Sequence, residues 1–307
     1  MNKKLRHFLS YSIDVLLFTI LFSCHSHRFF KKNQEFHIAS VNNNVCKKLQ
    51  RKTVLYAVFV DSKYTGYWTE FDMSSTLDSV KKASKWIESQ ARDNGIGLDI
   101  VVDYHENDKG IIPIEKSLAK KRFGATLLGP SGIKNVDRWA DKIAYYALQK
   151  YGPDTSKKTL NKIRPKDRER LIARLRDKHE TENVGIIYFI NSYYTDEVSA
   201  ALHIGSDFDP EYAVVSYKNP SVIAHEYLHL FGAVDLYMSP FDNKKKQQKK
   251  KAFAMEKFPN EIMAFTHRRI ETLEIGNISK YLIGWNDSLS RADQNILVGK
   301  KLKLVKY

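Results

Sequence analysis

The stretch HEYLHLFGAVD, running from His225 to Asp235, constrains this chain more than any other. On a helix, two histidines four residues apart are separated by about 40° around the axis and about 6 Å along it, so both imidazoles share one face and can grip one metal ion. Glu226 lies about 100° further round, outside the ligand set but beside a water in the metal's shell. That is the place of a general base. A helix continuing past His229 would carry Asp235 about 9 Å further on and off the histidine face. Gly232 relieves this: lacking a Cβ, it takes positive φ freely, ends the helix and turns the chain back. Asp235 then becomes the expected third ligand.

Two nitrogens and one carboxylate oxygen leave a fourth tetrahedral position for water, as in catalytic rather than structural zinc sites. The expected cofactor is one Zn2+ on His225, His229 and Asp235. A carboxylate ligand offsets more of the ion's charge than a third imidazole would, so the water is less acidified and Glu226 carries more of the deprotonation. The plainer reading of the same residues is an amphipathic core helix whose histidines and glutamate are satisfied by neighbours.

In this motif the chain resembles the metzincin zinc metallopeptidases, in the variant with Asp at the third ligand position. The resemblance implies hydrolysis of peptide bonds in a protein or peptide substrate. It also implies a methionine-containing turn beneath the metal, which PNEIMAF (residues 259–265) would supply with Met263. Several members carry a tyrosine two residues after that methionine. This chain has Phe265 there, and Tyr237 is the substitute its sequence offers. The family's cleft is lined by an antiparallel edge strand that pairs with extended substrate, a part that falls by chain order to residues 200–204. Motif-level resemblance covers residues 222–265. The rival reading is a non-catalytic surface binding module that keeps the peptidase fold.

The first residues, MNKKLRHFLSYSIDVLLFTILFSC, join a basic start to an apolar run too short to span a bilayer, which reads as an export signal. Its end resembles a bacterial lipoprotein signal with Cys24 as the lipidated residue, implying a membrane anchor in the cell envelope. An ordinary cleaved signal or an uncleaved anchor are the alternatives. Cys24 and Cys46 are the only cysteines, too few for a disulfide framework or a zinc ribbon. The net charge of +15 suits nucleic acid, anionic lipid or acidic substrates. Export argues against nucleic acid, and the basic residues, dense at 157–178 and 244–251, lack interleaved aromatics that stack on bases. They are expected to form a solvated surface. A basic envelope protein that holds polyanions is the third reading.

The expected fold class is α/β (α+β), a metzincin-like mixed twisted sheet with backing helices and an active-site helix under the cleft. A signal at 1–24 and a polar tether at 25–52 precede a peptidase domain at 53–285 and a tail at 286–307. With 307 residues and 43% hydrophobic content, one such domain can bury a substantial core.

Strands are expected at 53–60, 97–104 and 184–190, the first and last buried on both faces, with shorter ones at 200–204 and 213–217. Helices are expected at 75–92, 135–150, within 157–180, from Pro220 with Ser221 as cap, and at 278–283. The first two strands should be parallel across their helix. Residues 105–133 and the lysine run near 244–251 read as loops, and 296–307 as a final strand. His105 and Glu106 are expected to be exposed, His179 to lie at the surface, and His203 to be an ordinary strand histidine. Glu271 and Glu274 rank below Asp235 as a third ligand.

Overall fold

Residues 53–60 form the middle of β1 (Arg51–Ser62), and among the described residues no other stretch of that length is so completely enclosed. The computed structural model describes residues 48–62, 65–105, 111–114, 130–150, 166–191, 199–202, 212–216, 218–237, 243–266 and 268–297. Cys24, Cys46, Glu106, His203 and most of the expected signal and tether lie outside them. Among the described residues, no helix is long and apolar enough to cross a membrane.

After β1 come α1 (Glu70–Asp93), β2 (Leu98–Tyr104), β3 (Ile111–Ile114), α2 (Pro130–Gln149), α3 (Asp167–His179) and β4 (Asn183–Ile190). They are followed by β5 (Ser199–Leu202), β6 (Tyr212–Val215), α4 (Pro220–His229), α5 (Lys244–Lys257), α6 (Asn277–Leu282) and α7 (Arg291–Leu297). The six strands form one sheet in the order β2-β1-β4-β6-β5, with β3 also paired to β1. Among the described residues all pairings are parallel except β5 with β6, which makes β5 an antiparallel edge strand there. The fold is therefore mixed α/β with helices on both faces.

Alternation along the strands divides the core in two, because successive side chains leave a strand on opposite faces. Leu55, Ala57 and Phe59 of β1 and Ile187 and Phe189 of β4 join α1 and α4 on one face. Val54, Tyr56, Val58 and Val60, with Ile186 and Tyr188, join α2 and α3 on the other. Each large apolar side chain so enclosed contributes about 1.5–3 kcal/mol. The second face also buries Arg168. Its Nε donates to Asp141 at 2.6 Å and its Nη1 to Asp137 at 3.1 Å, with the Tyr212 ring 4.8 Å away. This network ties α3 to α2 and to the sheet.

Several boundaries differ from expectation, each for a tertiary reason. Helix α1 starts at Glu70 because the Thr69 hydroxyl accepts from the Asp72 backbone N–H. The expected loop at 105–133 contains β3, which lies along β1 where β2 ends, and the start of α2. Pro113 lacks an N–H and reads as a strand breaker, yet among the described residues β3 pairs with β1 alone, and proline is tolerated on such an edge. The lysine run is helical in α5, since Lys, Gln, Ala, Met and Glu are all good helix formers and Ala254 is buried beneath them. Ile296 and Leu297 end α7 rather than begin a strand, because Ser290 and Asp293 cap that helix. Residues 298–307 lie outside the described residues.

The expected tether also ends earlier. Leu49 is fully buried, its N–H donates to the Ile283 carbonyl at 2.9 Å, and its carbonyl accepts from Trp285 Nε1 at 2.6 Å. The two ends of the domain thus meet.

His105 is buried rather than exposed, at 3%, and its Nδ1 has no hydrogen-bond partner among the described residues. Burial, reinforced by the charge on Lys150, pushes its pKa down to about 4. The unfolded chain takes up this proton near pH 6.5 and the folded one only near 4, so stability is full above about pH 6.5 and falls as pH drops towards 4. Urea midpoints at pH 7 and pH 4.5 should therefore differ less for His105→Gln than for the wild type. Equal pH slopes would show that His105 does not contribute.

Candidate metal centre

Helix α4 carries the histidine pair, and three contacts fix where it begins. Asn219, not Ser221, is the cap: its Oδ1 accepts from the Ser221 N–H at 3.1 Å, and Pro220 occupies the first turn. The Ser221 hydroxyl instead donates to the Thr266 carbonyl at 2.7 Å. Lys218 pairs with the buried Asp72 at 2.8 Å, which joins the starts of α4 and α1. Val222, Ile223, Ala224, Tyr227 and Leu228 are all buried, so the helix is enclosed on every side. Tyr227 lies across the sheet, with its hydroxyl on the Val54 carbonyl at 3.1 Å. Its ring passes over Gly185, where a Cβ would come within 2.6 Å of Tyr227 Cε2.

The helix ends as the glycine requires. Gly232 has φ +97°, its N–H donates to the His229 carbonyl at 3.0 Å, and the Ala233 N–H reaches back to the Leu228 carbonyl at 3.2 Å. This pair of bonds is a Schellman motif with Gly232 as the left-handed residue. The chain reverses there and brings Asp235 alongside the imidazoles.

Three ligand atoms converge. His225 Nε2 and His229 Nε2 are 3.0 Å apart, and Asp235 Oδ1 lies 3.1 Å from the first and 3.3 Å from the second. Metal bonds of about 2.0–2.1 Å at tetrahedral angles put ligand atoms roughly 3.3 Å apart, so the triangle suits a first-row divalent ion. The tautomers agree. His225 Nδ1 is 3.0 Å from the Ile262 carbonyl and His229 Nδ1 is 2.7 Å from the Ala233 carbonyl. A carbonyl only accepts, so each neutral ring carries its proton on Nδ1 and turns the Nε2 lone pair inward. Two lone pairs and a carboxylate oxygen facing one another repel unless a positive charge lies between them.

The protonation equilibria point the same way. Burial opposes a charge on His229, yet Asp235 and Glu226 nearby raise its pKa to about 9. Burial likewise works against the Asp235 carboxylate, but the two imidazoles hold its pKa below the usual range. This is a pocket that favours a cation, and among the described residues these three side chains form the group able to hold a metal ion.

Glu226 is 4% exposed and close enough for its charge to act on both His229 and Tyr237. Burial, followed by the charges of Asp235 and Glu226, keeps the Tyr237 phenol protonated far above neutral pH. Met263 is fully buried in the turn that supplies the Ile262 carbonyl, and its own carbonyl accepts from the Leu236 N–H at 3.1 Å. Phe265 is covered by the Arg268 guanidinium, 4.4 Å from its ring. Glu271 is exposed and paired with Lys82, while the backbone of Glu274 bridges Glu261. His179 is half-buried and 2.8 Å from Asp103, away from the triad.

Sequence reasoning missed Glu261. The available signal was a lone carboxylate in the apolar run of PNEIMAF. The chain matches no known family, no curated protein and no solved structure.

Proposed function

We propose that the protein is an exported zinc metallopeptidase of metzincin type, with zinc on His225, His229 and Asp235 and Glu226 as general base and acid. The observation that carries this reading is the triangle of two Nε2 atoms and one Oδ1, with edges of 3.0, 3.1 and 3.3 Å and both Nδ1 atoms tied to carbonyls. Zinc, when bound, supplies a Lewis acid that lowers the pKa of a water and polarises a peptide carbonyl.

The chain's own residues do the rest. Glu226 takes one proton from the attacking water as its oxygen bonds to the carbonyl carbon, then hands that proton to the amine nitrogen as the C–N bond breaks. Its burial beside the histidines keeps the carboxylate out of bulk water. Tyr237, still protonated at neutral pH, can donate its hydroxyl to the developing oxyanion in the role the family gives to a tyrosine after the methionine. Strand β5, at the edge of the sheet among the described residues, offers its outer side to an extended peptide as a further antiparallel strand. The turn at 259–265 with Met263 corresponds to the family's turn beneath the metal. A lipid on Cys24 would hold the domain at a bacterial envelope membrane.

The test is metal content together with turnover on a broad peptide library. About one zinc per chain is expected, with hydrolysis lost to a chelator and restored by zinc. Protein that takes up no zinc would overturn the reading, and bound zinc without turnover on any peptide would favour the binding module.

A further inference from the structure

We propose that Glu261 is a positioning residue whose buried carboxylate locks the turn at 259–265 onto two of the three metal-ligand segments. The proposal rests on the metal-centre reading above and adds to it the part that holds the ligands in place.

Glu261 is 2% exposed, and among the described residues its carboxylate is met by donors. Its Oε1 accepts from the Met263 N–H at 3.2 Å and the Ser279 hydroxyl at 3.0 Å, and its Oε2 accepts from the Gly276 N–H at 2.6 Å. Its backbone is equally engaged. The Glu261 carbonyl accepts from the N–H groups of Ala264 at 3.0 Å and Phe265 at 3.1 Å, closing the turn on itself. A bridge to Glu274 holds the outer side, with the Ile262 N–H on the Glu274 carbonyl at 3.0 Å and the Glu274 N–H on the Asn260 carbonyl at 2.8 Å.

The turn so held presents two consecutive carbonyls to the metal centre. That of Ile262 takes the Nδ1 proton of His225 at 3.0 Å, and that of Met263 takes the N–H of Leu236, next to Asp235, at 3.1 Å. A shift of this turn therefore moves a ligand imidazole and the segment carrying the ligand carboxylate together. The third ligand, His229, is oriented by Ala233 within its own helix turn and does not depend on Glu261.

The chemistry of the anchor explains why it is a carboxylate. Among the described residues three donors converge on it and none is a cation, so only a group that accepts on both oxygens satisfies all of them. An amide in its place would aim an N–H at the Gly276 N–H or at the Met263 and Ser279 donors. Burying such a group is costly: burial pushes its pKa up to about 7 against these hydrogen bonds, with Glu274 the charged neighbour that adds to the rise. A conventional apolar side chain would avoid that cost but could not tie Met263, Gly276 and Ser279 to one point.

The experiment measures zinc and Co2+ affinity of the full-length protein by competition with a chromophoric chelator, and records the Co2+ ligand-field spectrum. Glu261→Gln should bind both metals about 10–100-fold more weakly, the range found when an outer partner of a ligand is lost, and its Co2+ bands should shift. Ser279→Ala removes one donor and leaves the carboxylate, so it should fold readily and weaken binding in the same direction by less. Asp137→Asn is the control. It disturbs the Arg168 network on the opposite face of the sheet and should lower the melting temperature with metal affinity and spectrum unchanged. Wild-type affinity and spectrum in both Glu261→Gln and Ser279→Ala would overturn the proposal, as would an equal loss of affinity in Asp137→Asn. Wild-type protein that binds neither metal would overturn the metal centre and this proposal with it.

Discussion

Glu226→Gln should retain zinc at the wild-type level and lose between about a hundredfold and ten-thousandfold of kcat on any peptide that the wild type cleaves. The amide has the size and shape of the carboxylate, so a side chain that is 4% exposed can be exchanged without opening a cavity. Gln cannot take up the water's proton, and both proton transfers assigned to this position fail together. The metal ligands are untouched, because His225 and His229 are oriented by the carbonyls of Ile262 and Ala233 and not by Glu226. KM should change little, since the loss lies in the transition state and not in ground-state binding. The measurement is kcat and KM with zinc stoichiometry on the same sample. Activity within tenfold of wild type would place the base elsewhere.

The second large effect is expected from Asp235→Ala. A ligand that binds only the folded state stabilises it by about 4 kcal/mol when present at a thousand times its Kd. For a domain of this size each kcal/mol moves the melting temperature by roughly 2–4 °C, so saturating zinc should raise that of the wild type by roughly 8–16 °C. Without Asp235 the site keeps two neutral imidazoles 3.0 Å apart and loses the negative charge that favours a cation beside them. The zinc-dependent rise should shrink to about a quarter of the wild-type value or less, and a chelator should lower the melting temperature by no more than that remainder. A rise equal to the wild type's would remove Asp235 from the ligand set. Together the two substitutions separate chemistry from metal retention, since the first should cut turnover with the metal in place and the second should weaken the hold on the metal.

What the sequence alone determined is whatever a dozen neighbouring residues can encode. Helical spacing dictates that His225 and His229 share a face, and a glycine without a Cβ dictates that the helix can stop and reverse at Gly232, where φ is +97°. The same locality makes β1 and β4 legible, because unbroken β-branched and aromatic runs have few folds that bury both faces. Tertiary structure decided the rest. β3 is a strand because β2 stops short along β1, and Leu49 belongs to the core because Ile283 and Trp285 receive it. The orientation of the His225 ring depends on a carbonyl 37 residues later, and that carbonyl on a carboxylate held from Gly276 and Ser279. Hydrogen bonds between segments so far apart leave no period or spacing in the sequence, since their geometry exists only once the sheet has brought those segments together.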